Sequence, residues 1–311
     1  MLKTLLLATA SIALAVNIAA AKELRSIGIS LGSLGNPFFI ALARGATDEA
    51  KKTNAAVRVI TLGYDYDLGK QFTQIDNFIA AGTSMILLNP GDPHAIAPAI
   101  KKAQAAGIPV VAVDTVADGA DATVATDNVQ AGTIACQYLA DQLGGKGNIL
   151  IVNGPQVSSV IDRVNGCKTV IAQHPDMHLL SSDQDAKGSR DGGLAVGQAL
   201  LTRFAHVDGV FAINDPTAIG VALAAKQLNR TDFIVVSVDG SPDIEAALKD
   251  PAMAIIKASA SQDPYVMARR ATALGIEILN GQKPAQPVTL LPSKLITREN
   301  VGSYQGWSAP R

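Results

Sequence analysis

The feature that most constrains this chain is a recurrence. Short apolar runs rich in β-branched residues are each followed by a stretch with helical spacing. Ser26–Leu31, Val57–Leu62, Met85–Leu88 and Pro109–Val113 begin the series, and Asn148–Val152, Val210–Ile213 and Ile234–Val238 continue it. The runs are near-continuous rather than alternating, as strands buried on both faces should be. Between them, segments such as 37–54, 69–81 and 93–106 carry Ala, Lys and Gln at helical spacing. Strands alternating with helices imply parallel sheets built from βαβ units. About nine such units exceed a single sheet of ordinary size. The expected fold is therefore α/β with two domains, meeting near Thr126-Asp127-Asn128.

The residue that ends each run carries the next inference. Met85–Leu88 runs into Asn89, Pro109–Val113 into Asp114, Asn148–Val152 into Asn153, Val210–Ile213 into Asn214 and Ile234–Val238 into Asp239; Ala254–Ala260 is followed closely by Gln262. In open parallel sheets, ligands bind beyond the carboxyl ends of the strands. Amides and carboxylates on that rim are the groups that pair with hydroxyls. Any one of them also suits a turn or a helix cap; the set across two domains favours a polar ligand site.

The stretch GSLGNPFF, residues 32–39, follows the first run. It holds two of the seven phenylalanines in a chain with 4% aromatic residues. Asn36 reads as an N-cap and Pro37 as a first helical residue. That places Phe38 and Phe39 in a first helical turn at the same rim. An aromatic face beside amides and carboxylates suits a sugar, whose C–H face lies on the ring while its hydroxyls meet the polar groups. Both rings as ordinary core is the alternative.

The N-terminus reads as a secretory signal peptide: Lys3, an apolar stretch from Leu5 to Val16, and Ala19-Ala20-Ala21 before Lys22. The apolar stretch is short for a membrane span, and without a following cysteine no lipid anchor is expected. Residues 1–21 are therefore expected to be removed, leaving a soluble, exported protein. Two cysteines, Cys136 and Cys167, permit one disulfide in an oxidising compartment or two buried thiols. The formal net charge of −1 provides no footprint for nucleic acid.

Catalytic signatures are missing. Gly28, Gly32 and Gly35 have the wrong spacing for a dinucleotide fingerprint, GYDYDLGKQ (63–71) is no P-loop, and no G-x-S-x-G, H-E-x-x-H or C-x-x-C occurs. The four histidines, at 94, 174, 178 and 206, are scattered and read as surface. Asp114 and Asp239 form a conceivable acid pair, but without a nucleophile or metal set hydroxyl binding accounts for them better. No enzyme activity, metal or cofactor is expected.

Six stretches carry a family resemblance: SLGSLGNPFF (30–39), ILLNPGDPHAI (86–96), GIPVVAVDT (107–115), ATDNVQAG (125–132), VFAINDPTAIG (210–220) and VVSVDGSPDI (235–244). Over nearly all the mature length the chain resembles periplasmic sugar-binding proteins of the ribose-binding type, the solute receptors of ABC importers. The resemblance implies two Rossmann-like lobes with parallel sheets, joined by three hinge strands, with the ligand in the cleft. It implies a first lobe of residues 22–126 and 262–289 and a second of 127–261 and 290–311. The family's ligand contacts fall on Asn36, Phe38, Phe39, Asn89, Asp114, Arg163, Asn214, Asp239 and Gln262. Arg163, in SSVIDRVNG, would donate to hydroxyls and offset the two carboxylates. The implied partners are a monosaccharide or polyol and an inner-membrane permease, in the periplasm, with the protein a monomer.

The chain also departs from the ribose-binding pattern. Thr115 stands where those members have an arginine, Gly32 replaces a serine with Ser33 beside it, and DAKGSRDGG (185–193) lacks their second-lobe aromatic. Tyr64 or Tyr66 would replace some of the lost surface unless both lie in an ordinary surface loop. These changes suit a different pentose, a furanose or an acyclic polyol. Two rival roles share the core. A transcriptional repressor needs a DNA-binding head where the signal peptide stands. A sugar or autoinducer receptor that presents its ligand to a chemotaxis or signalling sensor is not separable by sequence.

Overall fold

The computed structural model describes residues 23–307. The expected signal peptide, residues 1–21, lies outside them.

The described chain runs β1 (Ser26–Leu31), α1 (Pro37–Thr53), β2 (Arg58–Gly63), α2 (Leu68–Ala80), β3 (Met85–Leu88), α3 (Ala97–Ala105), β4 (Val110–Val113) and β5 (Ala122–Thr126). It continues through α4 (Asn128–Leu143), β6 (Lys146–Val152), α5 (Ser158–Ala172), β7 (Asp176–Ser181), α6 (Arg190–Arg203), β8 (Gly209–Ala212), α7 (Asp215–Gln227), β9 (Ile234–Asp239) and α8 (Pro242–Lys249). It closes with β10 (Ile256–Ser261), α9 (Pro264–Leu279), β11 (Val288–Leu291) and β12 (Leu295–Thr297).

Two six-stranded sheets result, ordered β11-β5-β4-β3-β1-β2 and β12-β10-β9-β8-β6-β7. All pairings are parallel except that of β12 with β10. Each sheet is covered on both faces: one pair of apolar clusters flanks the first, another the second. Burial on both faces is why the central strands read as unbroken apolar runs. Each half carries the same order, with a switch point beside its first strand, so a crevice opens at β1/β3 in one lobe and β6/β8 in the other.

Between its strands and helices the chain crosses between the lobes three times: after β5 at Thr126, after β10 at Ser261, and between β11 and β12. The C-terminal segment, 290–311 of the expected second lobe, divides between the lobes. β12 joins the second sheet, but Trp307 returns to the first lobe's core, where its ring centroid lies 6.0 Å from that of Phe38. An amphipathic indole finds there both an apolar wall and an acceptor, since its Nε1 donates to the Gln262 carbonyl at 2.9 Å.

Local chemistry accounts for other differences. The third helix begins at Ala97 rather than 93 because Asp92 Oδ1 accepts from the backbone N–H groups of His94 and Ala95, folding 92–95 as a turn. The strands β5, β7, β11 and β12 add to the expected runs; β11 is mostly exposed and β12 has three residues, so neither shows a buried apolar run. His94, His178 and His206 are exposed and His174 is half-buried.

Helices α4 and α5 cross at backbone contact. A Cβ on Gly132 would come within 2.1 Å of the Arg163 carbonyl oxygen. A bond between the Cys136 and Cys167 sulfurs joins the same two helices. Closing a loop with a sequence separation of 31 residues is worth about 3–4 kcal/mol in the chain-entropy picture. Gly132 and this crosslink fix α5, which carries Arg163.

Candidate functional site

Both crevices open into one cavity between the lobes. All nine side chains assigned from the resemblance line it: Asn36, Phe38, Phe39, Asn89, Asp114 and Gln262, with Arg163, Asn214 and Asp239 opposite. Topology explains the convergence. Each follows the carboxyl end of a strand or sits in the first turns of the next helix.

Asn36 and Asn214 cap helices as well as lining the cavity. Asn36 Oδ1 accepts from the Phe38 N–H at 2.9 Å, and Asn214 Oδ1 accepts from that of Thr217 at 3.1 Å. The caps fix where each helix begins and which side chains its first turn points into the cleft. The rings of Phe38 and Phe39 meet edge to face, 5.3 Å between centroids. Both are 4% exposed, so they serve the core and the cavity wall at once.

The two carboxylates are strained into place. Asp114 and Asp239, each just past or at the end of a strand, have φ of 68° and 139°. Such conformations cost about 1–3 kcal/mol each and persist where the surroundings over-determine them. Asp114 Oδ2 accepts from Asn89 Nδ2 at 2.9 Å. Burial pushes the Asp114 carboxyl up to about 6, against the opposing pull of Arg163 and Asn89. Asp239 Oδ1 accepts from Gln262 Nε2 at 2.6 Å and lies 3.6 Å from Arg163 Nη1. Burial raises the Asp239 carboxyl as well, with Arg163 and Gln262 opposing.

Arg163 is 4% exposed and held as a fork. Its Nε donates to Asn128 Oδ1 at 2.8 Å and its Nη1 to the Ile213 carbonyl at 3.0 Å. Asn128 donates in turn to the Thr126 carbonyl at 3.0 Å, tying the guanidinium to an interlobe crossing. The lobes also touch directly: Val116 N donates to Ser158 Oγ at 2.8 Å.

Three further candidates fall elsewhere. Tyr64 is fully buried, behind the cavity rather than in it or in a surface loop. Thr115 also lies behind the wall. Its Oγ1 accepts from Asn89 Nδ2 at 3.0 Å and donates to the Pro90 carbonyl at 3.0 Å, so it orients Asn89. Ser33 borders an outer part of the cleft. Asn153, also picked out as a strand end, bonds locally instead, donating to the Ser182 carbonyl and accepting from Gly154 N.

Tyr66, weighed beside Tyr64 in the sequence, lines the cavity with its ring. Burial pushes its hydroxyl well up, and the nearby Asp114 and Asp239 carboxylates add to this, so the phenol stays protonated. Asp215 was missed. Hidden under Asp239, it accepts from Ser237 Oγ at 2.6 Å, Ser259 Oγ at 2.7 Å and Ser241 N at 2.7 Å. Burial and the adjacent Asp239 carboxylate push it upward. Its only sequence signal is the Asp following Asn214, which reads equally as an acidic first-turn residue.

Among the described residues no group of three or more His, Cys, Asp or Glu side chains is placed to hold a metal, and no helix is long and apolar enough to cross a membrane. What the arrangement offers is a buried set of donors and acceptors flanked by aromatic faces.

Comparison with known proteins identifies the family. A ribose import binding protein of Bacillus subtilis is 33% identical over 277 residues, 88% of each chain. A D-apiose import binding protein of Paraburkholderia graminis is 31% identical over 301 residues, 95% of each chain. A solved ABC transporter solute-binding protein from Mycobacterium smegmatis, with bound glycerol, superposes with a TM-score of 0.84 at 26% identity, covering 93% of this chain and 100% of that one. The family model for the periplasmic binding protein domain matches residues 27–283, so the chain belongs to the periplasmic binding protein family.

Proposed function

We propose that this protein captures a monosaccharide or polyol in the interlobe cavity and delivers it to an ABC import permease, acting as a solute receptor in the periplasm rather than as an enzyme. The observation that carries the reading is the lining itself. Hydroxyl-pairing groups from both lobes, Asn89 and Asp114 facing Arg163, Asn214 and Asp239, surround one cavity walled by Phe38 and Phe39. Relatives named for ribose and D-apiose import support the same ligand class.

In this mechanism the ligand lies against the phenylalanine face while the amides, carboxylates and guanidinium exchange hydrogen bonds with its hydroxyls. Only the closed form presents both lobes to one ligand. Binding energy from the second lobe therefore shifts the equilibrium between open and closed states. The three crossings act as the hinge between a lobe of 22–126 with 262–289 and a lobe built mainly from 127–261. The closed pair of lobes is the form a permease would read.

Thermal shift of the mature chain against pentoses, hexoses, furanose-forming sugars and C4–C6 polyols tests this. A ligand at 100 times its Kd adds about 2.7 kcal/mol to stability. A saturable shift from one panel member is expected; silence from protein shown to be free of co-purified ligand would overturn the reading.

A further inference from the structure

The cleft holds a second chamber outside the first. Ser33, Lys187, Ser189, Arg190 and Asp243 border it. Three residues border both chambers: Asn36, Gly188 and Tyr66. Asn36 is committed to capping α1 and Gly188 has no side chain, so the ring of Tyr66 is what forms the partition.

Its placement is over-determined. Asp65 and Tyr66 are consecutive non-glycine residues in the left-handed region, with φ of 53° and 59°. This turns the Tyr66 side chain back over β1 instead of out to solvent. The ring meets that of Tyr64 at 5.9 Å between centroids and 74° between planes. A Cβ on Gly32 would lie 3.0 Å from Tyr66 Cε1 and 2.8 Å from Phe39 Cζ, so the glycine leaves room for both rings. Tyr66 packs against apolar clusters of both lobes, and its hydroxyl lies 3.9 Å from where a Cβ on Gly188 would be. An aromatic side chain of the first lobe thus closes against a glycine of the second.

We propose that Tyr66 determines specificity by size: its ring partitions the cleft and confines the ligand to compact sugars or polyols, excluding derivatives whose substituent would extend into the outer chamber. The proposal rests on the sugar or polyol reading above. Aromatic area at this point is supplied from the β2–α2 loop, beside the aromatic-free segment 185–193.

The test uses the mature protein and its Tyr66→Gly, Tyr66→Asn and Tyr66→Phe variants. Glycine and asparagine tolerate the left-handed backbone, so both remove the ring without adding strain. Titration calorimetry compares each C4–C6 sugar or polyol with its derivatives benzylated singly at each hydroxyl in turn. Wild-type protein should favour the parent over every derivative by 100-fold or more. In the Gly and Asn variants that preference should fall at least tenfold for one positional isomer. The Phe variant should keep it, because the ring and not the hydroxyl forms the partition. Wild-type protein binding every benzylated isomer as tightly as the parent would overturn the proposal whatever the variants do. An unchanged preference in a small variant with native circular dichroism would overturn it while leaving the sugar reading intact. Binding of no panel member by wild-type protein would overturn both.

Discussion

Gln262 donates from Nε2 to Oδ1 of Asp239 across 2.6 Å, while its own Oε1 accepts from Thr126 Oγ1 at 2.8 Å. Gln262 and Thr126 stand on two different interlobe crossings, and Asp239 lines the cavity in the second lobe. One amide thus couples two interlobe crossings to a cavity-lining carboxylate. Replacing it with the apolar Gln262→Leu removes a hydrogen bond to a charged group, worth about 1.5–3 kcal/mol. Titration calorimetry should show the ligand bound some 10- to 100-fold more weakly, with the fold intact. Unchanged affinity would mean that Asp239 is oriented without this amide.

Arg163→Ala should cost about 2–4 kcal/mol of binding, as removal of a buried hydrogen-bonded charge does. It leaves Asp239 without its cation and Asn128 and the Ile213 carbonyl without their donor. Arg163→Lys should not restore affinity, because a single ammonium cannot reproduce the fork to Asn128 and Ile213. Equal affinity of wild-type and Ala proteins would place the ligand elsewhere.

Affinity should fall as pH drops through about 6. Ligand hydroxyls donate to ionised carboxylates, and burial raises Asp114 from 3.8 to about 6 despite Arg163 and Asn89. The free protein has the opposite dependence. Its folded form holds a proton that the unfolded chain releases between those two values, so the Asp114 contribution to stability falls as pH rises through that window and is flat above it. Linkage then gives a ligand affinity about tenfold lower at pH 5 than at pH 8 from Asp114 alone. Calorimetry from pH 5 to 8 at constant ionic strength checks it. The groups facing Asp114 are Arg163, Asn89, Asp239 and Tyr66, and Asp239 shifts in the same direction. A flat profile would mean that both carboxylates are already ionised or bind the ligand protonated.

Trp307 is the single tryptophan, and its ring centroid lies 6.0 Å from that of the cavity-lining Phe38. Its Nε1 donates to the backbone of Gln262. A ligand pressed on Phe38 and bonded to Gln262 should change indole emission saturably, with the same midpoint as calorimetry. Phe38→Leu should diminish the change. No emission change at a calorimetrically saturating concentration would show that the tail is uncoupled from the site.

The amino-acid sequence by itself determined the α/β class and the rim of the site. Near-continuous β-branched runs specify strands buried on both faces, and parallel strands bring their carboxyl ends to one side; Asn89 and Asp114 therefore share one rim of the first sheet, and Asn214 and Asp239 one rim of the second. Asn36-Pro37 ahead of Phe38 and Phe39 was equally legible, because capping is local chemistry. Tertiary structure alone decided which residues line the cavity and which stand behind it. Tyr64 and Tyr66 are two residues apart in one loop, yet a left-handed turn at Asp65 and Tyr66 buries the first and sends the second across the cleft. Thr115 became a support for Asn89, Asn153 closed on its own loop, and Asp215 found three donors from β9, β10 and the turn before α8. These outcomes depend on backbone dihedrals and on partners distant in the chain. No local pattern encodes them, because a polar side chain bonds to whatever the fold brings within about 3 Å.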